Sequence, residues 1–171
     1  LQQSLREYFM HYQASMMTFN ERSLLQMLSP ELQARITNLA NAPLIRQVPF
    51  FQHVEVRCIS EVVLALQPSL FVPEEIILYC GDVGEEMYII KSGVVQVYIE
   101  VGLGKEEKEL AQLTKGAFFG ELAILKGEGA RRGAFIKSIS YSIIYALSVN
   151  KMRPILDRFP SVRAAIEIVA K

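Results

Sequence analysis

Residues 87–101 read MYIIKSGVVQVYIEV. Val, Ile and Tyr crowd this stretch, apolar and polar side chains trade places along it, and Ser92-Gly93 interrupts it once. β-Branched and aromatic residues fit the pleated surface of a sheet, and a period of two places one face on a core. The stretch therefore predicts two strands separated by a turn. Similar short runs lie on both sides of it: LFVP from Leu70, EIILYC from Glu75, KELAQLT from Lys108, RGAFIKSI from Arg132 and YSIIYALSV from Tyr141. Gly81-Asp82, Gly102-Leu103-Gly104 and Lys115-Gly116 supply further turn signals. Many short strands at this spacing predict an antiparallel barrel or jelly roll.

The periodicity is different before Pro68. Leu5, Tyr8, Phe9, Tyr12 and Met16 form one helical stripe, and Asn20 is a candidate cap for a short helix carrying Leu24, Leu25 and Leu28. Ser29-Pro30-Glu31 is a stronger start signal, with a capping hydroxyl, a proline at the first helical position and an acid facing the positive helix end. That helix carries Leu32, Ile36 and Leu39 on one face, and Pro43 and Pro49 punctuate the chain after it. Residues 56–66 predict another helix, aligning Cys58, Ile59, Val62, Val63 and Leu66. Two more close the chain. One holds Ile155, Leu156 and Phe159, with an irregular start expected because Pro154 would remove an early backbone bond if Asn150 were the cap. The other comes after Pro160 and holds Val162, Ala165, Ile166 and Val169. The fold class is α+β: an antiparallel β-roll, jelly-roll-like, with a helical N-terminal segment and C-terminal helices.

Half of the 171 residues are hydrophobic, enough for a real core. With 18 basic and 18 acidic side chains the formal charge is zero, which argues against a general nucleic-acid or anionic-membrane surface. Cys58 and Cys80 each sit in an apolar periodic stretch and read as small buried hydrophobes, suited to a reducing compartment. No uninterrupted apolar run is long enough to span a bilayer. The sequence begins at Leu1 and not at Met, so it is expected to be a piece of a longer protein whose membrane part lies outside it.

Enzymatic chemistry finds little support. A metal-binding roll would need clustered His and carboxylate ligands. The two histidines, His11 and His53, both precede the strands, so no metal is expected. Neither cysteine has the electropositive, partly exposed setting of a nucleophile. No nucleophile elbow or Walker loop is present.

The stretch 120–134, GELAILKGEGARRGA, carries the chemistry. Gly120 lets the backbone come close to a ligand. Glu121 to Leu125 can form one helical turn whose unpaired N–H groups suit a phosphate. Glu121 is either a dipole partner of that turn or an acceptor for a pair of sugar hydroxyls. Arg132 returns across Gly127 and Gly129, and its planar fork matches phosphate oxygens. Arg131 reads more simply as a solvated strand start.

FFGELAIL followed by RRGAFI resembles the phosphate-binding cassette of cyclic-nucleotide-binding domains. FVPEEIILYCGDVGEEMYIIKSGVVQVYIE resembles the same family at Gly81-Asp82, Gly84, Glu86-Met87-Tyr88 and Gly93. REYF, FNERSLLQMLSPELQARI and LIRQVPFF resemble the helical C-linker of hyperpolarization-activated and cyclic-nucleotide-gated cation channels. The resemblance implies a partial C-linker over 1–48 and a binding domain over 49–171 whose last helix is truncated. It implies cAMP or cGMP as regulatory ligand, with Glu121 accepting from the ribose 2′-hydroxyl and Arg132 neutralising the phosphate. Gly120, Leu122 and Ala123 would make backbone contacts, and Gly133 and Ala134 would close the cassette. Val97 and Leu113, with Ala111 as a further candidate, fall where the family lines its purine pocket. Gly133 stands where the family has Thr, Ser or Ala, so cAMP is expected to bind at least as well as cGMP. Phe135 replaces a small or polar residue and is expected to crowd the cassette. Glu74 stands where a turn glycine is common. The implied setting is the cytoplasmic face of a membrane, joined to the pore region of the same longer chain in a homotetramer. The alternatives are a channel-type domain that no longer binds nucleotide and a regulatory subunit of a cyclic-nucleotide-dependent kinase.

Overall fold

In a computed structural model, which describes residues 27–102, 104, 106–122, 124 and 129–169, the alternating runs become two four-stranded antiparallel sheets. Strands β1 (Gln67–Phe71), β8 (Ser142–Ser148), β3 (Glu86–Ser92) and β6 (Phe118–Phe119) form one in that spatial order. Strands β2 (Ile76–Leu78), β7 (Phe135–Ser138), β4 (Val94–Val101) and β5 (Glu106–Thr114) form the other. β1 lies on β8, with Gln67 opposite Ala146, so the first and last strands are hydrogen-bonded neighbours and the sheets roll. β6 has no counterpart among the expected strands; two residues are too few to show an alternation.

The predicted helix start at Ser29 is observed. Helix α1 (Pro30–Ile45) has Pro30 at its first position, and the Ser29 hydroxyl accepts from the Leu32 amide at 3.4 Å. The helix runs through Pro43 instead of ending there. The bond lost to proline is the one to the Leu39 carbonyl, and Leu39 lies on the exposed side where water can replace it. The stripe of Leu32, Ile36 and Leu39 lies open to solvent: Leu32 and Ile36 are about two-fifths exposed and Leu39 is 79 % exposed. Only Leu44 and Ile45 of this helix are buried. The helical stripe over residues 5–16 and the Asn20 cap lie outside the described residues.

Helix α2 (Val56–Ala65) buries Cys58, Ile59, Val62 and Val63 as its spacing predicts. Helix α3 (Val149–Arg158) is regular, against expectation. Its cap is Ser148, whose hydroxyl accepts from the Lys151 amide, and Pro154 faces solvent. Helix α4 (Pro160–Val169) buries Val162 and Ile166. These elements share one apolar core in which Ile45, Val48 and Phe51 meet Ile59, Met87, Leu147, Met152 and Ile166. A second, smaller cluster fills the roll between the sheets with Ile90, Val95, Phe119, Ile136 and Ile144. Arg158 clamps α3 to α2 through both oxygens of Glu61, at 3.0 and 2.5 Å.

The cysteines differ from each other. Cys58 is fully buried, but Cys80 is exposed. β2 ends at Leu78, so Tyr79 and Cys80 stand beyond the strand and do not inherit its inward face. Glu74 adopts φ 67°, the left-handed conformation that glycine takes at no steric cost.

Candidate phosphate-binding pocket

Arg132 is held in register before its side chain does anything. Its amide donates to Asp82 O at 2.8 Å, its carbonyl accepts from Gly81 N at 2.8 Å, and Gly84 N donates to Ala130 O at 2.7 Å. The β2–β3 loop thus lies antiparallel beside residues 130–132, with Val83 bridged to Arg131. Arg131 and Arg132 point apart. The exposed Arg131 returns to the loop, where Nη1 donates to Gly81 O at 2.7 Å.

The Arg132 guanidinium is half-buried. Nη2 donates to Glu86 O at 2.6 Å and Nη1 to Gly120 O at 3.2 Å. Its central carbon lies 5.8 Å from the centre of the Tyr88 ring. Among the described residues no carboxylate pairs with it. A guanidinium with five N–H donors and only two backbone acceptors keeps a full charge and spare donors for an anion.

Glycines approach this side chain closely on two sides. Gly120 has φ 78°, and a Cβ there would stand 2.5 Å from Arg132 Nη1 and 3.0 Å from Glu86 O. A Cβ on Gly84 would stand 2.9 Å from the guanidinium carbon. Gly120 comes directly after the aromatic pair of β6. Phe119 is buried and stacks on Tyr88 with centroids 5.1 Å apart, which anchors the backbone at the point where it turns under Arg132.

A cavity of about 190 Å³ opens at this point. Gly120, Glu121 and Leu122 form one wall and Arg132, Gly133 and Ala134 another, with Leu78, Ala130, Arg131 and Ile136 completing it. Six of the nine expected site residues are brought together here. Ala123 lies outside the described residues. Val97 and Leu113 do not line this cavity. They pack half-buried behind it, in the cluster that contains Ile136, which is the strand partner of Val97. Ala111 is exposed. Leu122 and Ile124 are helical and Ile124 N donates to Glu121 O at 2.9 Å, so the chain turns where a helical turn is expected. No side-chain partner ties down Glu121 among the described residues.

Phe135 does not crowd the pocket. Along β7 the side chains alternate, and Phe135 falls on the face opposite Ile136. It stacks on Tyr98 at 5.1 Å and meets the edge of Tyr79 at 6.3 Å. A Cβ on Gly133 would meet nothing within 4 Å. Glu86 and Tyr88 enter the sequence reading only as part of a family pattern. Their contact with Arg132 goes beyond it, although their i, i+2 spacing on one strand already places them on one face.

Two sheets closed into a roll, with a half-buried arginine at a glycine-lined cavity, make a candidate site for a small anion. The chain belongs to the cyclic nucleotide-binding domain family, whose sequence model matches residues 69–159, more than half of the chain. It is 34 % identical over 171 residues to the cyclic nucleotide-gated channel alpha-4 of Mus musculus, covering 98 % of this chain and 29 % of the relative. It is 33 % identical over 169 residues to the human potassium/sodium hyperpolarization-activated cyclic nucleotide-gated channel 3, covering 98 % of this chain and 20 % of the relative. The chain thus spans less than a third of the length of these curated relatives. Both of these relatives are ion channels by name. The N-terminal domain of a transcriptional regulator from Streptomyces coelicolor A3(2) shares the fold, with a TM-score of 0.64 at 20 % identity, over 72 % of this chain and 86 % of that one. Among the described residues no helix is long and apolar enough to cross a membrane.

Proposed function

We propose that this chain is the cytosolic cyclic-nucleotide sensor of a tetrameric cation channel, binding cAMP with cGMP equal or weaker. The observation that carries the proposal is Arg132, a guanidinium without a carboxylate partner among the described residues, at the wall of a glycine-lined cavity that also holds Glu121. The cyclic phosphate lies against Arg132 and the backbone of Gly120 and Leu122, joined by Ala123. Glu121 accepts from the ribose 2′-hydroxyl. Gly133 and Ala134 close the other wall. About 190 Å³ is below the roughly 300–1,000 Å³ that encloses a drug-sized ligand. The cavity therefore suits the sugar-phosphate, and the purine extends toward Val97 and Leu113. Gly133 offers no hydroxyl to guanine, which favours cAMP or leaves the two nucleotides equal.

Residues 1–48 serve as linker and 49–171 as binding domain. Ile45 and Val48 share a core with Phe51 and Ile166, so a ligand that repacks the C-terminal helices acts on the linker directly. The nucleotide biases the pore by its differential affinity for two packings of that core. The exposed Leu32, Ile36 and Leu39 stripe offers an apolar surface for subunit assembly on the cytoplasmic side of the membrane. The test is displacement of a fluorescent cyclic nucleotide by cAMP and cGMP, paired with current recordings from the longer channel. Displacement by cAMP at equal or lower concentration than cGMP, with cAMP shifting channel opening, is expected. Failure of both nucleotides to displace, or a tenfold preference for cGMP, would sink the reading.

A further inference from the structure

Arg132 stands between two cavities. On one side is the glycine-lined pocket. On the other is an outer cavity of about 370 Å³, lined by Asp82, Glu85, Glu86, Tyr88 and Arg132 itself. The outer cavity places acids beside the cation that the pocket needs for phosphate. Glu86 is the closest of them in one respect. Its carbonyl oxygen already accepts from Arg132 Nη2 at 2.6 Å. Its carboxylate belongs to the same residue, which lines the outer cavity together with Arg132. A carboxylate there would form the charge-assisted pair that arginine favours most and would occupy the donors meant for phosphate.

That pairing is not what the structure contains. The Tyr88 hydroxyl donates to Glu86 Oε2 at 2.7 Å. The two residues are i and i+2 on β3 and therefore share a face of the strand. The Tyr88 ring itself stacks on Phe119. Burial, and then the bond to Glu86, holds the Tyr88 hydroxyl well above its ordinary pKa, so it remains a donor at every physiological pH. The ring beneath the hydroxyl faces Arg132, at 5.8 Å from centroid to guanidinium carbon.

We propose that Tyr88 is a positioning residue that tethers the Glu86 carboxylate away from Arg132, keeping the guanidinium open to phosphate. Glu86 is a competing anion within the chain, and the tyrosine hydroxyl is its latch. The proposal rests on Arg132 being the phosphate ligand, and it assigns to the neighbouring strand the control of that ligand.

The experiment is Tyr88→Phe, which keeps the ring and removes only the latch. Affinity for cAMP is measured in the 171-residue chain and in a chain already carrying Glu86→Gln, with thermal melts confirming that each variant folds. The expected result is a loss of about tenfold on Tyr88→Phe in the first background and less than about twofold in the second. Equal losses in both backgrounds, or no loss in either, overturn the proposal, since a purely structural hydroxyl would not depend on the charge of Glu86. A crystal structure of the nucleotide-free Tyr88→Phe chain adds an arm that needs no ligand. The Glu86 carboxylate within salt-bridge distance of Arg132 supports the latch, and its absence refutes it. If the unmodified chain fails to bind cAMP, the nucleotide-sensor reading fails by itself and this second arm still decides the latch.

Discussion

The Arg132 guanidinium lies so close to the backbone of Gly120 that a single methyl group on that glycine would stand 2.5 Å from Nη1. The same glycine has φ 78°. Gly120→Ala is therefore opposed twice, by a left-handed backbone and by a clash. It should cost about 1–3 kcal/mol of stability and also weaken cAMP binding by displacing Arg132. Chemical denaturation and a binding titration on the same sample would check both. Unchanged stability with unchanged affinity would show that the close approach has no consequence.

Gly84→Ala makes a useful contrast. Its Cβ would meet the same guanidinium, at 2.9 Å, but its backbone is not left-handed. The clash falls on the far end of a flexible side chain, which can move. Affinity for cAMP should fall severalfold while the melting temperature changes little. A large drop in melting temperature would place the cost in the backbone instead.

Gly133→Thr should fold as well as the parent, because its Cβ enters open space. The added hydroxyl gives the pocket a donor and acceptor that glycine lacks. One net hydrogen bond, about 0.5–1.5 kcal/mol, should raise cGMP affinity relative to cAMP by about two- to tenfold. Competition binding with both nucleotides reads the ratio directly. An unchanged ratio would mean that residue 133 does not face the purine.

Glu74 has φ 67°, which disfavours any side chain by about 1–2 kcal/mol. It also pairs with Lys137 at 3.3 Å, but it is 73 % exposed and such a pair contributes little. Glu74→Gly should raise the melting temperature, with a gain of up to about 1 kcal/mol after the greater chain entropy of glycine. A lower melting temperature would show the ion pair outweighing the strain.

The two thiols should report opposite environments. Burial, with the Glu61 and Glu55 carboxylates adding to it, pushes Cys58 up to about 11, whereas Cys80 is exposed. The neutral Cys58 thiol is thus favoured by folding. Its contribution to stability is complete below the unfolded value near 9 and is lost as pH rises toward 11. Mass spectrometry after brief alkylation at neutral pH should find Cys80 modified and Cys58 untouched until denaturant is added. Early labelling of Cys58 would contradict the packing of α2.

Much of this architecture is legible in the sequence because its signals are local. The alternation in residues 87–101 and the turn at Ser92-Gly93 specify β3 and β4 without any tertiary information. Ser29-Pro30-Glu31 specifies a helix start in the same way. The illegible part depends on solvent exposure set by distant elements. Pro43 and Pro154 look like breakers, and each is accommodated because the carbonyl it leaves unpaired can turn to water. Cys80 looks buried because the apolar run continues two residues past the end of β2. The cassette can be assembled from Gly120, Glu121 and Arg132 by residue chemistry and family likeness. Which face Phe135 takes is decided only once Ile136 is known to point inward. The Glu86 and Tyr88 contacts with Arg132 join residues more than forty positions apart, a distance over which spacing carries no signal.

Whether Arg132 binds the phosphate of a cyclic nucleotide is tested most directly by calorimetric titration of the chain with cAMP, beside Arg132→Ala. Removing one partner of a half-buried, charge-assisted contact should cost on the order of 2–5 kcal/mol. Saturable heat that disappears in a folded Arg132→Ala variant is the predicted result. Heat that persists undiminished in the variant, or no heat from the folded parent chain, would contradict the account.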